Sequence, residues 1–137
     1  MDITAVRQAL AANLSTMLGT QVSPRMLVNP TPPAAHVFPA ETDFDQTFGR
    51  GQDFQVLTVQ VLVGTVSSEA AQDQLDAYLS GSGPQSVKHA VESDRTLGGA
   101  CSDLVVASAT GYRSVVQEGQ APVLVCEWRV EVRGSGT

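Results

Sequence analysis

Few residues in this chain have the types and spacing that chemistry needs. Asp43 and Asp45 stand two apart in a polar stretch, a spacing open to acid–base work by paired carboxylates. Nothing around them would raise a carboxyl pKa, so they read as a solvated loop. Cys101, Cys126, His36 and His89 are metal-ligand types, but no two of them have chelating spacing. A Cys126–His89 nucleophile pair fails on pattern: Cys126 falls on the apolar face of an alternating stretch, where cysteine behaves as a small hydrophobe. "GRG" at 49–51 lacks the lysine and the following helix of a phosphate cradle, and no HExxH, GxSxG or CxxC occurs. These residues predict no catalytic group, no cofactor and no metal.

Composition narrows the classes further. The 137 residues suit a single domain spanning 1–137, long enough to bury one core. Charged residues make up 16%, against about 25% in ordinary domains, and the net charge is −6. So sparse a charge hints at surface that becomes covered. Without clustered Lys and Arg there is no sequence-independent grip on phosphate, so nucleic acid is not an expected ligand. The N-terminal residues carry no secretory pattern and no apolar run approaches a membrane span, which points to a protein of the cytoplasm with reduced thiols.

The elements follow from periodicity. Ile3, Val6, Leu10, Leu14, Met17 and Leu18 recur at helical spacing and Gly19 follows, predicting a helix over 2–18. Its outer face of Gln, Asn, Ser, Thr and Ala is either covered or an interface. Residues 20–53 hold five prolines, at Pro24, Pro30, Pro32, Pro33 and Pro39, and read as a long connection with short extended pieces near 25–28 and 34–38, outside any central sheet. Residues 54–63 predict a strand. Ser67 or Ser68 then caps a helix with Ala71, Leu75, Tyr78 and Leu79 inward and Glu69, Asp73 and Asp76 as a solvated or channel-facing acidic stripe. Pro84 fits the first turn of the next helix. Strands near 103–112 and 123–133 close the chain as a hairpin. In the last one Leu124, Cys126, Trp128, Val130 and Val132 face one way, while Val125, Glu127, Arg129, Glu131 and Arg133 face the other. The fold class expected is α+β: a mixed or antiparallel sheet, an N-terminal helix, a central helix pair and a long proline-rich loop region.

Three stretches resemble the tail terminator proteins of long-tailed bacteriophages. These are "DFDQTFGRGQDFQVLTVQVLVG" (43–64), "AAQDQLDAYLSGSGPQSVKHAVESDRTLGG" (70–99) and "DLVVASATGYRSVVQEGQAPVLVCEWRVEV" (103–132). The resemblance implies a structural virion protein of the tail–neck region, assembled in the host cytoplasm. It would sit as a homohexameric ring on the tail tube protein, end tube growth and present a face to the head-completion protein. DNA would pass through without specific binding, and no membrane, catalysis or cofactor is implied. A head-closure protein of the same connector is the near alternative. A small-molecule-binding α+β domain is the distant one, and it requires a pocket with convergent polar groups. Within this reading residues 41–53 form a polar arm reaching a neighbouring subunit. Its candidate contacts are Phe44, Thr47, Phe48, Gly49, Arg50 and Gly51, with the two phenylalanines as apolar anchors.

Overall fold

Asp2 opens the first helix by accepting hydrogen bonds from the backbone N–H groups of Thr4 and Ala5, which would otherwise lack partners. The helix α1 (Ile3–Leu18) buries Val6, Leu10, Ala11, Leu14 and Leu18. It ends at Gly19, whose φ of 68° lets its N–H return to Ser15 O. The computed structural model describes residues 2–19, 22–27, 33–44, 52–65, 69–116 and 122–135.

Five strands form one sheet: β1 (Val22–Ser23), β2 (Ala34–Asp43), β3 (Gln52–Thr65), β4 (Asp103–Val115) and β5 (Val123–Ser135). Their spatial order is β1-β2-β3-β5-β4. Only the β1–β2 pair is parallel, so the sheet is mixed. The helices α2 (Glu69–Leu79) and α3 (Val87–Glu92) and a 3-10 turn at Leu97–Gly99 connect β3 to β4. The fold is α+β, with an N-terminal helix and a central helix pair as the periodicity predicts.

All three α-helices pack on the same face of the sheet. Leu57, Val59, Val61 and Val63 of β3 and the even-numbered residues Leu124–Val132 of β5 join the buried faces of α1, α2 and α3 in one core. Asn13 ties α1 to α3 by donating to Ala90 O and Ser93 Oγ at 3.0 and 3.1 Å. Among the described residues no helix lies over the opposite face. At one end of that face Leu62, Val123 and Val125 form a small apolar cluster with Val115 beside it. This is why Val125 is buried although it stands on the polar side of the alternation.

The proline-rich connection needs correction. Ala34–Asp43 is a ten-residue strand running through Pro39 and lying second in the sheet. The proline is tolerated because β1 pairs only with Ala35 and His36, leaving the outer side of β2 open beyond that point. A register shift between Pro39 and Glu41 accommodates it further. The proposed arm shrinks for the same reason. Glu41–Asp43 belong to β2, while Gln52 and the buried Asp53 belong to β3. Thr47, Phe48, Gly49, Arg50 and Gly51 lie outside the described residues, as do Ser67 and Ser68. Pro84 is not in a helix. Ser86 caps α3 instead, accepting from His89 N and donating to Ser80 O, so one buried hydroxyl closes the turn and starts the helix.

Glu92 holds the helix layer to β4. Its carboxylate accepts the Val106 N–H at 2.9 Å and pairs with Lys88 Nζ at 2.6 Å. Burial alone would raise its pKa, but the bonds from Lys88 and Val106 outweigh burial and hold it below the ordinary value of 4.5. A depressed native pKa stabilises fully above that ordinary value, and the contribution is lost as pH falls through the native one. Glu92→Gln keeps an acceptor for Val106 but removes the titration. Thermal melts from pH 7 to pH 3 should therefore fall less steeply in Glu92→Gln than in the wild type. Glu92→Ala should cost about 1–3 kcal/mol at pH 7, because the Val106 donor loses its partner.

Candidate assembly surface

The face opposite the helices carries a ladder of polar side chains across four strands. Leu27 N–H donates to His36 Nδ1 at 2.8 Å, so in the neutral ring the proton sits on Nε2. That nitrogen meets Gln60 Oε1 at 2.5 Å. The Gln60 amide nitrogen in turn donates to Glu127 Oε1 at 3.4 Å, and Arg113 Nη2 meets the same oxygen at 2.8 Å. His36 pairs with Gln60 and Gln60 with Glu127 in the strand registers, so strand pairing lines these groups up. Phe38 packs edge-on to the His36 ring, with centroids 5.2 Å apart. Further along the same face Arg133 lies 4.7 Å over the Phe54 ring, and Arg129 pairs with Glu131. Both nitrogens of the buried His36 are used internally, so the ladder serves to fill a sheet face with satisfied polar groups.

The sequence-derived candidates fall in separate places. Phe44 projects from the end of β2 with 69% of its surface exposed. Glu69, Asp73 and Asp76 are exposed on α2, opposite its buried Ala71, Leu75 and Tyr78. Cys126 is fully buried and gives its S–H to Thr110 O, while His89 is exposed on α3. Burial raises both thiol pKa values. For Cys101 the neighbouring Asp103 and Asp94 add to burial, and its pKa reaches about 11. Among the described residues no group of three His, Cys, Asp or Glu is placed to hold a metal ion.

The two sides of the sheet differ in character. At the β4 side, residues 107–114 are exposed, and among the described residues no strand lies beyond them. The one charge in that run, Arg113, turns inward to Glu127. One register shift lies between Val106 and Ser108 and a second, between Thr110 and Arg113, contains Gly111, whose φ of 72° suits glycine. Tyr112 and Val116 are exposed there. Between Ala107–Ala109 and Leu79–Gly81 a groove of about 210 Å³ opens above Trp128.

The β1 side is guarded. Arg7 Nη2 occupies the Val37 carbonyl at 3.1 Å, and Pro39 has no N–H to offer. Arg7 and Arg25 line a small cleft with Thr4, Gln8 and Pro24, in which Arg7 Nε is buried without a partner. Met26 is 60% exposed next to it.

No family model and no curated protein matches this chain. No helix among the described residues is long and apolar enough to cross a membrane. The molecular surface itself therefore carries the functional reading.

The ladder was invisible in sequence because Gln60 and Glu127 become neighbours of His36 only through register. The signal available was parity: all three stand on the polar side of their strands. Gln60→Ala should cost about 1–3 kcal/mol in urea unfolding, because the buried His36 Nε2 then loses its acceptor. An unchanged midpoint would show that the ladder contributes nothing to stability. The thiols give a separate test. Iodoacetamide at pH 8 should leave Cys101 and Cys126 unmodified in the native protein and alkylate both after denaturation. Rapid native labelling of either would return a reactive thiol to consideration.

Proposed function

We propose that this chain is a structural virion protein of the tail terminator type, forming a homohexameric ring that caps the phage tail tube, ends its polymerisation and joins it to the head connector. The resemblance in residues 43–64, 70–99 and 103–132 supports the reading, and those blocks coincide with β3, the helix pair and the β4–β5 hairpin. The observation that carries it beyond resemblance is the location of exposed apolar side chains. Phe44, Met26, Tyr112 and Val116 stand at strand ends and sheet margins. That is where subunits side by side in a ring would meet, whereas a ligand site gathers such groups around a concavity. In this role the protein needs no catalytic group or cofactor, and its acidic α2 stripe stays wet or faces the channel.

Cryo-electron imaging of the virion that contains the chain tests the reading directly. Six copies at the head-proximal end of the tail tube are expected. A location elsewhere, or another copy number at that site, overturns it. The arm gives a finer test. Burial of a phenylalanine side chain contributes about 1.5–3 kcal/mol, whereas an exposed ion pair contributes about 0–1 kcal/mol. Phe44→Ala and Phe48→Ala should each impair tail–head joining more than Arg50→Ala. For Phe44→Ala the subunit melting temperature should stay near that of the wild type, since Phe44 is exposed. Unfolding of the Phe44→Ala subunit would place that ring in the protein's own core.

A further inference from the structure

We propose that the β4 margin of one copy is covered by the Arg25–Leu27 segment of a second copy, with Arg25 facing Asp76 and Asp73 of α2 and Met26 entering the groove above Trp128. The proposal rests on the ring reading and names its contact.

Complementary charge is the first argument. Four ion pairs link described residues, through Lys88, Arg95, Arg113 and Arg129. Arg7 and Arg25 have no acidic partner among the described residues, and neither Asp73 nor Asp76 has a basic one. Arg7 and Arg25 share one cleft on the β1 side, whereas Arg133, which also has no acidic partner among the described residues, lies over the Phe54 ring. Asp73 and Asp76 are exposed on α2, whose last residue Leu79 lines the groove beside Ala107–Ala109 of β4, and their charges add to burial in raising the Tyr112 phenol pKa. The β1 and β4 sides are opposite ends of the strand order. Within one molecule Arg25 and Asp76 therefore stand at opposite margins, whereas two copies set side by side bring them together.

Shape supplies the second argument. Residues 107–114 present a strand margin with no neighbour among the described residues and no outward charge, which leaves backbone donors and acceptors available. The groove of about 210 Å³ beside them is lined by Leu79, Val106, Ala107, Ala109 and Trp128, with Ser80, Ser108 and Lys88 also in its lining, so it offers an apolar side chain a largely apolar wall. Arg25, Met26 and Leu27 are consecutive and exposed on the other side of the sheet, joining a cation to an apolar side chain. β2 is the poorer occupant, because Pro39 and the Arg7–Val37 bond obstruct its outer side.

The contact is heterologous. Each copy that donates its Arg25–Leu27 segment still has a free β4 margin, so the chain closes into a ring or continues as a filament.

Charge exchange tests the contact in the full chain. Arg25→Glu and Asp76→Lys, each alone, should weaken self-association by about tenfold or more, measured by sedimentation velocity across a concentration series. The double variant Arg25→Glu/Asp76→Lys should recover most of the loss. Met26→Asp should weaken association in the same assay and leave the melting temperature unchanged. The proposal is overturned if the single variants associate like the wild type, or if the double variant shows no recovery. A wild type that stays monomeric at every concentration also overturns it. None of these results touches the tail-capping reading, which stands or falls on where the protein sits in the virion.

Discussion

The pairing of β3 with β5 is the constraint from which the rest of the molecule follows. Its register sets Leu57 beside Val130, Val59 beside Trp128 and Val61 beside Cys126. All six side chains then point to the face that the helices cover. A slip of one residue would turn Trp128 outward and bring Arg129 into the core, so no neighbouring register competes. Once that face is fixed, α1, α2 and α3 have only one apolar surface to cover, and both sequence neighbours of every core residue in β5 face the other way.

The face of the sheet opposite the helices is filled in another way. Here an apolar cluster fills one end and the polar ladder from His36 to Arg113 crosses the sheet elsewhere. The ladder leaves each buried group bonded, which avoids the cost of an orphaned donor or acceptor. Arg7 and Arg25 collect at the β1 side, while Asp73 and Asp76 stand beside Tyr112.

Much of this architecture was legible in residue order. The Asp2–Gly19 bracket of α1, the inward face of α2 and the alternation of β5 all depend on local spacing, and local spacing is visible in one sequence. β2 was hidden because proline is a reliable sign of an interrupted ladder only where both sides of a strand are paired. At Pro39 the outer side is open. The start of α3 was misplaced because Pro84 is a stronger local signal than Ser86, whose bond to Ser80 O is visible only after the turn has formed. The ladder and the opposed margins lay beyond local reading altogether. They depend on which strands become neighbours, and the order β1-β2-β3-β5-β4 does not follow the chain. For function, composition and motifs reached only a protein of contacts; the kind of contact came from resemblance and from the exposed side chains.

That strand order also bears on how the molecule is made. β5 follows every other element in sequence, yet it lies between β3 and β4. Until it has left the ribosome, β3 lacks one of its two neighbours and β4 lacks its only one. During synthesis the nascent chain therefore carries two unfinished strands: β3 is paired only with β2, and β4 is joined to the rest only through the helices that precede it. Closure must then wait for contacts between residues such as Leu57 and Val130, far apart in the chain, and such distant pairing slows folding. A growing chain of this kind exposes Val- and Leu-rich β3 for the whole of that delay, when contact with another nascent copy is most hazardous.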